Sequence, residues 1–396
     1  MIKYQANGIG IHNVIYYLNR FNILILLLSF LTIEYRILSN KSFSIFDIVI
    51  IFLFILFFLI RKINLNFLSV KLIILIIISL THSVTIFLIS NNYNIFFGTI
   101  VLIYLCSILF IYEQLAIRMK FEKIFQIFIY AIILNCILSL IGIIFYLINI
   151  NNIMICTNCT SSELLNNFPR IKNLAYSPNS YAFYNFIGIL VLCVNQTISN
   201  KNFNLFILFL FFILTISLLT LSKTNLLILS FVFIYFFKNK LSLKIIILFF
   251  LLIFIFYFVF TNLLLTTKCI NNEKDLTIAC NFFLDTKILY LQNFITDFKF
   301  FGNGYNNYIS NIYPHNTIFD LFYSYGITGI IILLYLSFII TSSILSIDNL
   351  EIKKLVTFFW LSIIIISINE DIFRYRELWI SIAFTYSLSK SQTIND

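Results

Sequence analysis

His315 closes the longest polar stretch of this chain, residues 267–316, just before the next apolar run begins. A neutral imidazole at that position could take a proton from an attacking hydroxyl group, which is general-base catalysis. Pro314 restricts the backbone in front of it, and Asn316 behind it is a residue type that caps helices. Capping alone would also explain this Pro-His-Asn triplet, so the catalytic and the structural interpretation both stay open.

The other two histidines have plainer interpretations. His12 lies in the N-terminal tail, where we expect a solvated side chain. His82 lies inside an apolar run. There we favour a buried histidine bonded to a helix neighbour over a functional group, although ionisable residues inside spans are often functional.

Positively charged side chains recur in the polar connections between apolar runs, and five of them stand out: Arg170, Lys172, Lys223, Arg374 and Arg376. An arginine fork matches phosphate oxygens and a lysine offers a point charge, so together these cations could bind a pyrophosphate at the bilayer surface. Simpler interpretations stay open. The break at 222–225 could be only a turn, and the last two arginines could pair with Glu370, Asp371 or Glu377.

The rest of the chain is strongly apolar, with 61% of its 396 residues hydrophobic and 11% charged and a mean hydropathy of +1.00. A soluble domain of this size would carry about 25% charged residues. Apolar runs of about 20 residues predict helices, because a helix satisfies its own backbone hydrogen bonds in hydrocarbon. The sequence therefore predicts an all-α, polytopic integral membrane protein in a single domain, residues 1–396.

The apolar runs predict about 12 transmembrane helices (10–12). The approximate spans are 14–33, 43–60, 67–89, 95–112, 124–149, 179–197, 203–221, 225–237, 244–266, 317–346, 353–368 and 377–389. The first span lacks a small-residue cleavage site, so we expect it to be a retained helix rather than a signal peptide.

The positive-inside rule orients this set of spans. Lys and Arg concentrate in alternate connections, such as 61–62, 118–123 and 238–244. Both termini are therefore predicted to be cytoplasmic, while the two larger loops, about 150–178 and 267–316, are predicted to be extracytoplasmic together with segment 369–377. The net charge of +10 is explained by this topology, and we expect no nucleic acid as a partner.

Each predicted outer loop contains two cysteines: Cys156 and Cys159 lie in the first loop, and Cys269 and Cys280 lie in the second. Outside the cytoplasm, disulfides are expected in preference to a zinc site, and their pairing stays open. The sequence has no Gly-rich phosphate loop, no Asp-x-Asp and no HExxH motif. We therefore expect no metal and no cofactor. If the protein is a transferase, Arg and Lys must stabilise the charge of its leaving group.

Three short motifs follow one another along the chain: Arg170…Pro178-Asn179, Leu221-Ser222-Lys223-Thr224, and Gly302-Asn-Gly304-Tyr305…Pro314-His315-Asn316…Gly326-Ile-Thr-Gly329. In order and spacing they resemble the O-antigen polymerase and O-antigen ligase superfamily of bacterial envelope glycosyltransferases, over about residues 165–335. Two departures stand out. Lys223 stands where many relatives have arginine. The Arg-x(10)-Gly repeat of some polymerases is absent, because the ten residues after Arg170 are followed by Tyr181 and not by glycine.

The resemblance implies a glycosyltransferase that uses an undecaprenyl-pyrophosphate-linked glycan at the outer face of the bacterial inner (cytoplasmic) membrane, with inversion and without a metal. It implies His315 as the loop histidine and Arg170 as the phosphate-side arginine. We expect the remaining substrate and pyrophosphate contacts among Lys172, Lys223, Asn179, Asn316, Tyr305, Arg374 and Arg376. Membrane lipid, a chain-length regulator and a flippase are the implied partners.

Our leading hypothesis is a polymerase of lipid-linked repeat units. Within the same superfamily, the alternative is an O-antigen ligase that transfers finished glycan to lipid A-core. From another class, the alternative is a polysaccharide flippase or other transporter, for which charges facing a central cavity would be expected. Lys71 and His82 are nearly the only titratable groups deep in a predicted span. Whether the product is O-antigen, capsule or another surface glycan stays open, as do its sugars and linkage.

Overall fold

The computed structural model describes the helical parts of the chain and several connections. The described residues are 27, 28, 30, 45–59, 67–90, 95–118, 121–148, 154–156, 170–173, 175, 177–199, 202–222, 224–237, 300–302, 316–369, 371–373 and 375–391. Together they form eleven helices and a single two-stranded sheet. The prediction of an all-α protein is therefore confirmed for this part of the chain.

The helices are α1 (Ile45–Leu59), α2 (Phe67–Ser90), α3 (Ile95–Arg118), α4 (Phe121–Leu147), α5 (Pro178–Ser199), α6 (Phe203–Leu218), α7 (Thr224–Phe237), α8 (Thr317–Tyr325), α9 (Ile327–Leu345), α10 (Leu350–Asn369) and α11 (Arg376–Ser391). The two strands, β1 (Ile155–Cys156) and β2 (Arg170–Ile171), pair antiparallel between α4 and α5. Nine predicted spans correspond to helices, and their ends agree within three residues except that α3 continues six residues beyond the predicted end at 112. The spans 14–33 and 244–266 lie almost wholly outside the described residues.

Apolar helices long enough to cross a membrane confirm the coarse prediction of a helical membrane protein. In the described part of the chain five helical stretches qualify: Val70–Leu88, Phe96–Leu115, Glu122–Leu147, Pro178–Ser199 and Ile327–Leu345. Helices α6 and α7 are apolar but shorter. The total of twelve spans stays a prediction.

The chain divides into two compact units. The first unit comprises residues 1–63 and 114–229, and the second comprises residues 64–113 and 230–396. The first contains α1, α4, the β1–β2 pair, α5 and α6, while the second contains α2 and α8–α11, and the division falls within α3 and α7. It does not test the prediction of one membrane domain.

Helix α5 is the centre of the first unit, because its side chains are buried on every face. It packs against α4 and α6. The absence of a side chain at Gly188 lets α5 approach α4, since a Cβ there would overlap the Cδ1 methyl group of Ile132. A helix that is apolar all round is expected at the middle of a bundle, where no face meets solvent.

The prediction of one continuous span over 317–346 is wrong, because Gly326 divides it into α8 and α9. Gly326 has φ 59° and ψ −139°, a backbone conformation that side chains with a Cβ rarely adopt. The next backbone N–H, of Ile327, donates to the carbonyl of Phe300 at 3.0 Å and not to the preceding helical turn. Helix α8 is thus a separate amphipathic helix, and the apolar span begins at Ile327.

Helix α9 organises the second unit by packing against α2, α8, α10 and α11. It runs antiparallel to α2, since Lys71 near the start of α2 donates to Ser342 near the end of α9 at 3.4 Å. Further along α2, the ring of His82 lies 5.7 Å from that of Tyr325, the last residue of α8. His82 is buried, as predicted, but its Nδ1 has no hydrogen-bond partner among the described residues, so the predicted bond to a helix neighbour is not present at that atom.

Candidate functional site

The segment that carries Arg170 is held by backbone hydrogen bonds on two sides. In the β1–β2 pair Arg170 is opposite Cys156, and the N–H of Lys172 donates to the carbonyl of Met154 at 3.0 Å. The N–H of Ile171 donates to the carbonyl of Leu219, just after α6, at 3.2 Å. The segment therefore bridges the connection after α4 and the connection after α6.

The guanidinium group of Arg170 joins the first two sequence motifs. Its Nε donates to the carbonyl of Thr220 at 2.8 Å, and its Nη2 donates to Asn179 Oδ1 at 3.1 Å and to the carbonyl of Leu221 at 3.3 Å. The residue is only 9% exposed. We call Arg170, Asn179, Thr220 and Leu221 the arginine junction. Arg170 therefore has a structural role, because it connects the start of α5 with the turn after α6.

The turn between α6 and α7 is a polar, buried structure of its own. Leu221 has φ 48°, and Ser217 Oγ donates to Asn225 Oδ1 across the turn at 3.0 Å. Ser222 Oγ accepts from the N–H of Thr224 at 3.3 Å, a local bond that serine commonly makes in turns. These contacts support the interpretation of 222–225 as a turn. Lys223 itself lies outside the described residues.

The start of α5 places Asn179 against Arg170. Pro178 is the first helical residue, a position where its missing N–H costs nothing. Ser177 Oγ accepts from the N–H of Ser180 at 3.1 Å, and Ser180 Oγ accepts from the N–H of Ser177 at 3.2 Å. This reciprocal pair has the geometry of a capping box and fixes the entry to the helix.

In the second unit, the glycines of the third motif meet backbone to backbone. A Cβ added to Gly302 would lie 2.5 Å from the N atom of Gly326, and one added to Gly326 would overlap the carbonyl of Phe300. A Cβ at Gly329 would overlap the carbonyl of Leu321 in α8. Only glycine fits such approaches, so these residues fix Gly302 to the junction of α8 and α9.

Asn316, which follows His315, fixes the other end of the same motif. Its Oδ1 accepts from the N–H groups of Ile318 and Phe319 at 2.9 and 3.1 Å, so the predicted helix cap is confirmed. Its Nδ2 donates to the carbonyl of Ile368, at the end of α10, at 2.8 Å. Beside it, the N–H of Ile372 donates to Thr317 Oγ1 at 2.9 Å. We call Gly302 and Asn316 the loop anchors.

The connection between α10 and α11 brings acidic side chains beside this region. Asp371 and Glu377 are buried, while Arg376 is half-buried at the start of α11. The indole N–H of Trp379 donates to the carbonyl of Phe373 at 2.8 Å and holds the connection against α11. The structure thus joins the predicted polar segment 369–377 to the end of loop 267–316 within the second unit.

Several predicted site residues lie outside the described residues: His315, Tyr305, Lys223 and Arg374. Of the loop cysteines, only the backbone of Cys156 is described. Lys172 is half-buried. Among the residues that the structure describes, no group of three or more His, Cys, Asp or Glu side chains could hold a metal ion.

Sequence reasoning missed a buried polar network beside the arginine junction. Asn173 Nδ2 donates to the carbonyl of Asn135 in α4 at 3.0 Å, and Asn135 Nδ2 donates to Tyr184 of α5 at 3.2 Å. Ser139 and Tyr181 share a hydrogen bond of 2.7 Å. A signal was present, because an asparagine inside an apolar span needs a polar partner.

No protein-family model, curated protein or solved structure matches this chain. The class that fold and site define is therefore a helical membrane protein with a polar, arginine-centred junction in one unit and an anchored polar loop in the other.

Proposed function

We propose that this protein polymerises undecaprenyl-pyrophosphate-linked oligosaccharide repeat units at the outer face of the bacterial inner membrane. The observation that carries this proposal is the arginine junction. There one buried cation contacts the Pro-Asn motif through Asn179 and the Leu-Ser-Lys-Thr motif through Leu221. A glycosyltransferase with an anionic lipid-linked donor needs cations gathered beside its apolar helices, because an arginine fork suits phosphate oxygens.

The proposed reaction needs a base and a place for negative charge. An acceptor hydroxyl oxygen bonds to the anomeric carbon of the donor, and the bond from that carbon to the pyrophosphate oxygen breaks, with inversion. His315 takes the hydroxyl proton. The departing pyrophosphate keeps the bonding electrons, and positive side chains stabilise its charge without a metal. We assign the stabilisation of this negative charge to five positive side chains: Arg170, Lys172, Lys223, Arg374 and Arg376. We assign further polar contacts with the substrate to Asn179, Asn316 and Tyr305.

The proposed topology has twelve spans, both termini in the cytoplasm and the loops of about 150–178 and 267–316 outside. Contacts within each unit support it. In the first unit, Arg170 of one loop meets Thr220 in the connection after α6. In the second unit, Asn316 of the other loop meets Ile368 at the end of α10. Each contact joins two connections that this topology assigns to the outer side.

The test is a gel of surface polysaccharide from cells in which this gene is deleted and then complemented. We expect wild-type protein to restore a ladder of repeat units and His315→Ala to leave a single repeat unit on the core, because the base is lost. His12→Ala is the matched control and should restore the ladder. A wild-type ladder from His315→Ala would refute the base assignment, provided that both variants insert into the membrane at equal levels.

The same gel separates the alternatives. Polymer that accumulates on undecaprenyl pyrophosphate, with none on the core, would indicate the ligase. The break between α8 and α9 at Gly326 is the observation that favours a transporter, since interrupted helices often line transport sites. Deletion that leaves the ladder unchanged would refute both enzyme hypotheses, and repeat units trapped on the cytoplasmic leaflet would support the transporter.

A further inference from the structure

Asn173 has an uncommon backbone conformation in the segment between Arg170 and α5. Its φ is 53°, in the left-handed region, where non-glycine residues are rare and asparagine is among the best tolerated. The residue is 1% exposed. A buried amide is expected to be hydrogen-bonded. The hydrogen-bond partner of the Asn173 side chain therefore indicates the role of this backbone conformation.

The amide of Asn173 is bonded to the backbone of α4. Its Nδ2 donates to the carbonyl of Asn135 at 3.0 Å and lies 3.4 Å from Asn135 Oδ1. The hydroxyl oxygens of Ser139 and Tyr181 lie 3.0 and 3.3 Å from the same carbonyl oxygen and 2.7 Å from each other, so one hydroxyl donates to the carbonyl and the other donates to the first hydroxyl. A buried network whose members satisfy one another fixes a single arrangement of the chain.

The position of Asn135 shows how deep this bond lies. Asn135 is close to the midpoint of the candidate span Glu122–Leu147, roughly 18 Å along the helix axis from Leu147 at 1.5 Å per residue. The segment that follows Arg170 therefore descends alongside α4. Non-helical backbone at such depth is tolerated only where protein buries it or where it lines a cavity. The bond from Asn173 to Asn135 is what holds this segment inside the first unit.

We propose that Asn173 is a positioning residue for the lipid-linked donor, an inference that rests on the proposed function. Its amide anchors the segment to α4, and the anchored segment presents Lys172 and the guanidinium group of Arg170 to the donor pyrophosphate. The backbone N–H groups of Ile171 and Lys172 donate to the carbonyls of Leu219 and Met154. These bonds and the Asn173 amide together fix the backbone that carries Arg170 and Lys172.

The anchor is tested by hydrogen exchange, which needs no activity. Asn173→Gly keeps the left-handed conformation but removes the amide, so we expect the amides of Ile171 and Lys172 to exchange about tenfold faster, as the loss of one net hydrogen bond implies. Asn202→Gly is the control, because Asn202 has φ 47° and its side chain makes no cap bond. Unchanged exchange in Asn173→Gly, or equal acceleration in both variants, would overturn the anchor.

The role in donor binding is tested by chain extension in proteoliposomes, with lipid-linked repeat units extracted from the deletion strain. In Asn173→Gly we expect KM to rise about fivefold to tenfold while Vmax per folded protein stays near wild type. Simple destabilisation would lower the amount of folded protein and leave KM unchanged, so an unchanged KM would overturn the positioning role. If wild-type protein extends no chains, the role in donor binding falls with the proposed function, whereas the exchange result still decides the anchor.

Discussion

Both polar regions contain backbone hydrogen bonds and side-chain contacts, but the contact that distinguishes each region is of a different kind. In the first unit, side chains hold backbone, since Arg170 donates to the carbonyls of Thr220 and Leu221 and Asn173 donates to that of Asn135. In the second unit, backbone meets backbone where Gly302 and Gly326 approach. The first region should therefore be sensitive to the loss of a donor group, and the second to the gain of a methyl group.

The largest effect is expected from a methyl group added in the second unit. In Gly326→Ala the new Cβ overlaps the carbonyl of Phe300, and the residue has φ 59°. A backbone conformation almost confined to glycine costs another residue about 1–3 kcal/mol, and overpacking costs about 1–3 kcal/mol. We therefore expect a destabilisation of about 3 kcal/mol and loss of the polysaccharide ladder, measured by thermal unfolding in detergent and by gel.

Gly188→Ala in the first unit is the matched control for this substitution. Its Cβ overlaps only the terminal methyl group of Ile132, which can rotate, so we expect a cost of about 1 kcal/mol and a retained ladder. A stable Gly326→Ala protein with a normal ladder would show that the contact between Gly302 and Gly326 is not required. The contrast between the two regions would then fail.

A smaller effect is expected from the loss of a donor group in the first unit. Arg170→Ala leaves the carbonyls of Thr220 and Leu221 without this donor, at about 1–3 kcal/mol for a buried acceptor. We expect the rate of chain extension to fall roughly a hundredfold in Arg170→Ala and roughly tenfold in Arg170→Lys, since lysine can replace one contact. The measurement is the initial rate in proteoliposomes.

Lys353→Ala is the control for Arg170, because the Lys353 ammonium group donates to the carbonyl of Leu345 at 3.0 Å on an exposed surface. Such a bond contributes little when water can replace it, so the rate should stay near wild type. A wild-type rate in Arg170→Lys would refute a role for the planar fork, because the junction would then depend on charge alone. Equal losses in Arg170→Ala and Arg170→Lys would contradict the expected partial replacement by lysine.

Most of the helices could be predicted from the sequence, because long apolar runs allow few other structures in a membrane. The prediction failed at Gly326. The run 317–346 is apolar almost throughout, and glycine is tolerated in membrane helices. The break depends on the approach of Phe300 and Gly302 from elsewhere in the chain, and no local pattern encodes that contact.

The candidate site was predicted in part. The motifs around Arg170 and Asn316 were found from residue types, and the cap formed by Asn316 was expected from its position. The partners of Arg170 were not found, because backbone carbonyls have no sequence signature. Asn173 and Asn135 were missed for a related reason: each looks like an isolated polar residue until the fold brings the two together.

The smallest effect is expected from variants of Asn316, which distinguish its helix cap from its hydrogen bond to α10. Asn349 caps α10 in the same way, because its Oδ1 accepts from the N–H groups of Glu351 and Ile352 at 3.0 and 3.1 Å. Asn349→Ala should lower the free energy of unfolding by about 1 kcal/mol and leave a normal ladder. Asn316→Ala should lower the free energy of unfolding slightly more and should also shorten the ladder, because the bond to Ile368 disappears as well.

Asn316→Asp keeps the cap oxygen but not the donor to Ile368, so it should retain stability and still shorten the ladder. If both asparagines behave alike on the gel, the contact between loop and α10 serves folding only, and side chains anchor the active region of the first unit alone.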